Sequence, residues 1–163
     1  MDAVELDPAT AADEAELVRL ARAFHAEDGH PLTESGVAAL GLVARGHPLA
    51  KAWLVREAGR SVGYALLCLG FGIEYGGADA FVDDLYLVPE ARGRGIGGRV
   101  LDRLEEEGRA LGLSALFLVV DPDNAPAVRL YRGRGFATTP WLTMAKQLRA
   151  DGDKIQTQDA PIQ

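Results

Sequence analysis

Only one cysteine, Cys68, occurs in 163 residues. That excludes an intrachain disulfide and any cysteine-rich metal site. Long apolar runs are missing too. No stretch approaches the roughly 20 residues that a membrane-crossing helix needs, so no membrane role is expected. The opening MDAVELDPATAADEAE is acidic and lacks the hydrophobic core of a signal peptide. With the lone cysteine, this predicts a reducing, cytoplasmic setting. Basic residues are the minority: 17 Lys+Arg against 24 Asp+Glu, a formal net charge of -7. A nucleic-acid binder needs the opposite sign, so no nucleic-acid partner is expected. A cationic substrate suits this balance. The three histidines show no metal-ligand spacing such as H-E-x-x-H, and no metal is expected. There is no internal repeat and no low-complexity segment.

What is present reads as one domain over residues 1–150, followed by a polar tail over 151–163 that has no core pattern. AVEL (Ala3 to Leu6) is a strand candidate. Thr10 and Asp13 form a capping arrangement, and Leu17, Leu20, Ala21 and Phe24 recur at helical spacing. Gly29 and Pro31 end that helix. Thr33 caps a second helix carrying Val37, Leu40 and Val43. Two β-rich runs flank Ala58-Gly59-Arg60 as a hairpin, and a further turn falls at Gly76-Gly77. FVDDLYLV (Phe81 to Val88) is a strand. ALFLVV (Ala115 to Val120) reads as a buried strand, Ala125 to Arg132 as a short helix, and FATT with WLTMAKQL as paired closing strands. The sum is an α/β fold of α+β character. Its central sheet is mixed, mostly antiparallel, of 6–7 strands, with helices on both faces.

The most informative stretch is LYLVPEARGRGIGGRVLDRL (Leu85 to Leu104). Four glycines and four arginines sit between a strand and a helix. Helix N-termini expose unpaired N–H groups at the positive end of the dipole and bind phosphates. Glycines let an anion approach the backbone. Arginine crowding at that end is unfavourable without a counter-charge. A Walker loop needs Lys followed by Ser or Thr after its last glycine, and Gly98 is followed by Arg99-Val100. The dinucleotide pattern G-x-G-x-x-G is met by Gly93, Gly95 and Gly98, with Asp121 near the end of the next strand. Against it, Pro89 to Arg92 separate the strand from the glycines. Only about 40 residues follow Asp121, too few for the usual doubly wound sheet.

Two motifs together carry a resemblance. Arg92, Gly95 and Gly97 satisfy R/Q-x-x-G-x-G/A. Further on, DPDNAPAVRLYRGRGF satisfies N-x-x-A-x-x-x-Y-x-x-x-G-F through Asn124, Ala127, Tyr131, Gly135 and Phe136. This resembles the GNAT family of N-acetyltransferases over nearly the whole chain, most strongly from Phe81 to Phe136. The resemblance implies the GNAT-type acyl-CoA N-acyltransferase fold and acetyl-CoA as co-substrate. It implies a cofactor site at Leu87, Val88, Arg92, Gly93, Arg94, Gly95, Ile96, Gly97, Gly98, Arg99 and Asn124. Backbone N–H groups of the loop would hold the pyrophosphate, and the strand edge at Leu87 and Val88 would pair with the pantetheine arm. Tyr131 matches the tyrosine proposed to protonate the departing thiolate.

The same resemblance implies direct transfer to an amine, with a carboxylate accepting a proton. Asp83 and Asp84 are the candidates. A regular strand turns only one of them toward the substrate, and a bulge could change which. Glu74 and Tyr75 are candidates for lining the acceptor site. FHAEDGHP adds His25, Glu27, Asp28 and His30, because this region shapes the acceptor pocket in the family. The expected acceptor is a small cationic primary amine. A protein N-terminus or lysine, or a non-catalytic acyl-CoA-binding role, stays open. So does a homodimer.

Overall fold

Turn chemistry sets the strand pairing. Ala58 and Gly59 both have positive φ, 48° and 74°, as in the two-residue hairpin turns whose twist matches the flanking strands. They join β2 (Ala50–Glu57) to β3 (Arg60–Gly72). β4 (Gly77–Leu87) returns antiparallel to β3, and β1 (Val4–Pro8) lies antiparallel on β2. The short β5 (Ala115–Phe117) joins β4 in parallel. The sheet order in this computed structural model, which describes residues 4–148, is β1-β2-β3-β4-β5.

Among the described residues four α-helices flank the sheet: α1 (Glu14–Glu27), α2 (Glu34–Ala44), α3 (Ile96–Ala110) and α4 (Ala125–Arg132). Their starts follow the capping residues. The Thr10 N–H donates to Asp13 Oδ2 at 3.0 Å, opening a 3₁₀ turn that leads into α1. Thr33 Oγ1 accepts from Gly36 N–H at 3.2 Å, and Asn124 Oδ1 from Ala127 N–H at 3.2 Å.

The helices divide between the two faces. Leu17, Leu20 and Leu40 of α1 and α2 pack with Leu54, Tyr64 and Tyr86. Ile96, Val100 and Leu104 of α3 pack with Val55, Leu67 and Val82 on the other face, where Leu130 and Tyr131 of α4 join them. Each fully buried aliphatic chain contributes roughly 1.5–3 kcal/mol, so both faces are firmly clamped.

Two expectations are corrected. The sheet has five strands among the described residues, where the sequence predicts six or seven. FATT and WLTMAKQL contain no strand, and Trp141 and Leu142 are 78% and 90% exposed. Apolar and β-branched residues suit a strand, but they do not supply a neighbour to pair with. Pro140, which has no N–H, also interrupts the segment. β5 is likewise shorter than ALFLVV and is not deeply buried; Val119 is 67% exposed. The polar tail over 151–163 lies outside the described residues.

Candidate active site

β4 and β5 pair only from Asp79↔Ala115 to Phe81↔Phe117. Beyond that point β4 continues through Val82 to Leu87 with no strand on that side among the described residues. The fork exposes a strand edge, which an extended ligand can pair with. At its far end a 3₁₀ turn (Pro89–Ala91) leads into Arg92–Gly95, and α3 begins at Ile96. Gly95 is the N-cap, with φ 76° and no capping side chain. The first N–H groups of α3, from Ile96 through Gly98, therefore have neither an intrahelical partner nor a cap. A Cβ on Gly97 would stand 3.1 Å from Leu130 Cδ2, so α4 packs tightly against this turn. Arg99, in the first turn of the helix, has a buried Nε with no hydrogen-bond partner.

The arginines have internal counter-ions. Arg94 forms a two-pronged pair with Glu57, at 2.8 and 2.7 Å. Arg92 Nη2 donates to Glu27 Oε2 at 2.6 Å and its Nε to the Leu87 carbonyl at 2.8 Å, while its guanidinium carbon lies 5.4 Å from the Tyr86 ring centroid. Arginine repulsion is therefore offset within the chain, and charge crowding alone does not demand a ligand. The uncapped N–H groups are the stronger pointer. Glu27 also accepts from Tyr86 OH at 2.8 Å. Arg92 and then Tyr86 hold its carboxyl below the usual glutamate range.

The two aspartates share a face. Leu66 is opposite Asp84 and Leu67 opposite Val82, so Asp83 is the extra residue of a bulge. The bulge resets the alternation. Asp84 Oδ2 accepts from Tyr64 OH at 2.7 Å and lies 3.9 Å from His25 Nε2. Asp83 interacts with the thiol of Cys68, which lies four residues from Tyr64 along β3 and so on the same side. The expectation that one aspartate faces away is thereby corrected. Asp83 is open to solvent at the rim of the fork, yet protein surrounds much of its remaining shell. That desolvation, then Asp84, pushes its pKa up. Burial, then Asp83, pushes the Cys68 thiol up to about 11. Burial, then Asp84, raises Tyr64. The neighbouring Asp84 carboxylate raises His25.

Tyr131 lies on the opposite, α3–α4 side. It packs edge-on against Phe136 at 5.9 Å, and burial raises its phenol pKa. It also lines a cavity of about 700 Å³ between β5, α4 and the segment that includes Trp141 and Thr143. Asn124 is committed to capping α4. Tyr75 stacks edge-on against Phe117 at 5.1 Å, beside the last β4–β5 pair, while Glu74 is exposed in the preceding turn. Asp28 is the exposed C-cap of α1. Among the described residues, no group of three or more His, Cys, Asp or Glu side chains is placed to hold a metal ion. No helix among them is long and apolar enough to cross a membrane.

A sequence model of the acetyltransferase (GNAT) family matches residues 14–136, from the start of α1 to the end of the α4 motif. The chain belongs to the GNAT acetyltransferase family. An IAA acetyltransferase of Azospirillum brasilense is 40% identical over 84 residues, which are 52% of each chain. A thialysine N-epsilon-acetyltransferase of Bos taurus is 34% identical over 74 residues, 45% of this chain and 43% of that one. The chain thus spans about half the length of these curated relatives. Among solved structures, the integron cassette protein HFX_CASS3 from the mobile metagenome of Cole Harbour Salt Marsh is 32% identical. It superposes with a TM-score of 0.77 over 88% of this chain and 90% of that one.

The GNAT match ends at Phe136, where the strands expected from the sequence also fail to form. Glu57, Tyr64, Cys68 and Tyr86 were not legible as site residues. Each acts across a strand pair or from another element, and no local spacing marks it. The one signal in the sequence was periodic: Tyr64 and Cys68 share a strand face.

Proposed function

We propose that this GNAT protein is an N-acetyltransferase that moves the acetyl group of acetyl-CoA directly to the primary amine of a small cationic acceptor. The observation that carries the reading is the β4–β5 fork ending at an uncapped, glycine-lined helix N-terminus. An extended arm bearing a diphosphate fits both parts at once: amide groups of the arm along β4, and phosphates at the N–H groups of α3. Arg92 and Arg94 would add charge once they exchange Glu27 and Glu57 for phosphate.

The acceptor side is acidic. Asp83 and Asp84 stand on one face of the fork, with Asp28 nearby at the end of α1. Such a set attracts an ammonium and lowers its reactivity until a proton is removed. In the transfer the amine nitrogen attacks the thioester carbonyl. The C–N bond forms, the C–S bond breaks, and one proton is released overall. A base on the α1 side, where Asp83 and Asp84 stand, takes a proton from nitrogen, and Tyr131 on the α4 side gives one to the departing sulfur. The relatives named for thialysine and IAA support a small-molecule acceptor.

The test is acetyl-CoA turnover, read by free thiol release against a panel of amines, amino acids, peptides and hydroxyl compounds. The expected result is turnover with cationic primary amines. Turnover only with anionic or hydroxyl acceptors would overturn the acceptor class. Calorimetric binding of acetyl-CoA without turnover on any acceptor would favour a non-catalytic binding role.

A further inference from the structure

The sequence brings one group that titrates near neutral pH into the acidic face. His25 sits in the last turns of α1 with its ring edge against Phe24, at 5.4 Å between centroids. Its Nε2 points to Asp84 Oδ2, 3.9 Å away. The same oxygen takes the Tyr64 hydroxyl at 2.7 Å. Tyr64 is fully buried, so its hydroxyl fixes the carboxylate from beneath. His25 itself is about one-third exposed, at 32%. A buried anchor, an oriented carboxylate and a half-open imidazole thus stand in line from the sheet toward solvent. The line starts just past the last β4–β5 pair, Phe81↔Phe117, where the fork opens.

We infer that His25 is the proton acceptor for the acceptor amine, and that Asp84, held by Tyr64, is its positioning residue. This deepens the acyl-transfer reading above and rests on it. The ammonium of the acceptor gives one proton to the neutral imidazole, and the imidazolium so formed faces the Asp84 carboxylate. The freed amine attacks the thioester. The imidazolium, about one-third exposed, then returns its proton to solvent, which accounts for the one proton the reaction releases. Aspartate alone is a weak base for an alkylammonium. An imidazole whose pKa is raised by a carboxylate is better matched to neutral pH.

The groups facing His25 are Asp84, Asp28 and the main chain of His30, which all favour the charged ring. Desolvation opposes them. Asp83 also acts on the ring electrostatically, and Tyr64 reaches it through Asp84. Asp84 is the largest of these influences. Removing it should therefore move the titration of His25 downward, toward the ordinary value of about 6.5.

The experiment has two arms on the full chain. In the first, histidine ring proton resonances are followed against pH without substrate, with His25 assigned from His25→Gln. The wild-type ring should titrate above the ordinary value, and Asp84→Asn should shift it down. In the second, kcat/KM is followed against pH with the best amine. The wild type should show an acid limb at the pKa measured for His25. Asp84→Asn should move that limb to lower pH. His25→Gln should lose the limb with at least about a 100-fold fall in kcat/KM, and added imidazole should restore part of the activity of His25→Ala. Acetyl-CoA affinity should stay within a few-fold in each folded variant. An active wild type whose His25→Gln variant keeps its limb and more than a third of its activity overturns the role of His25 while leaving acyl transfer intact. A wild type that binds acetyl-CoA but acetylates nothing overturns both.

Discussion

Arg92 and Glu27 are 65 residues apart in the chain, and their Nη2 and Oε2 atoms are 2.6 Å apart. The pair ties the loop before α3 to the end of α1, so the proposed anion-binding end and the proposed acceptor side share one contact. Both side chains are nearly half exposed, and pairs of that kind contribute at most about 1 kcal/mol. Glu27 nevertheless occupies the guanidinium that a phosphate would use. Glu27→Gln should therefore tighten acetyl-CoA binding by about two- to five-fold, the range within that energy. Calorimetry at fixed ionic strength measures it. Weaker binding by tenfold would mean that Glu27 aims Arg92 rather than competes for it.

Gly95 holds φ 76° at the head of α3, with nothing within 4 Å of the point where a Cβ would stand. Strain, not crowding, thus opposes a side chain there. Gly95→Ala should cost about 1 kcal/mol and lower Tm by roughly 2–4 °C. Gly95→Glu should cost about as much stability and also place a carboxylate over the N–H groups of α3. Calorimetry should then show acetyl-CoA binding retained by the alanine variant and lost by the glutamate variant. Equal affinities in the two folded variants would remove the phosphate from this helix end.

Tyr131→Phe keeps the packing against Phe136 and deletes the phenol. If the hydroxyl protonates the leaving thiolate, kcat should fall by about 10²–10⁴-fold with little change in acetyl-CoA affinity. Single-turnover kinetics separate the chemical step from product release. A chemical step at the wild-type rate would exclude Tyr131 from proton transfer.

Asp83 has its pKa raised by desolvation and by Asp84. Below about pH 3.9 its carboxyl is protonated in both folded and unfolded chains. As pH rises, the unfolded chain ionises first, so stability is lost through the interval up to the folded pKa and stays lost above it. Asp83→Asn should consequently raise Tm at pH 7, by no more than about 2 °C because solvent screens an exposed carboxylate. The gain should vanish near pH 3, and differential scanning calorimetry at both pH values reads it. An unchanged or lower Tm at pH 7 would mean that Asp83 carries no such penalty.

Local signals in the sequence located most elements. Thr10–Asp13, Thr33 and Asn124 mark helix starts because a cap is a short-range bond. Ala58-Gly59 marks a hairpin because φ is restricted. The strand–loop–helix order around Arg92–Gly97 follows for the same reason. Cross-strand events were not legible. The bulge at Asp83 depends on register with Leu66 and Leu67, and the ion pairs of Arg92 and Arg94 depend on residues 65 and 37 positions away. The closing strands were overread because FATT and WLTMAKQL read as a strand pair by themselves, while pairing depends on what lies beside each segment.

The gap that opens after Phe81 and Phe117 is a slit through the sheet. His25 and Asp84 lie on its α1–α2 side, and Tyr131 packs on the α3–α4 side. Two reactants can therefore arrive from opposite sides and meet edge to edge, and neither has to vacate a shared chamber before the other enters. Cys68, with its thiol pushed up to about 11, is too little ionised near neutrality to serve as a way-station for the acetyl group. Initial-rate plots against the two substrates should accordingly intersect rather than run parallel. A single molecule that joins an amine to the CoA sulfur would have to thread the slit, and should hold the two sides together more tightly than either half alone.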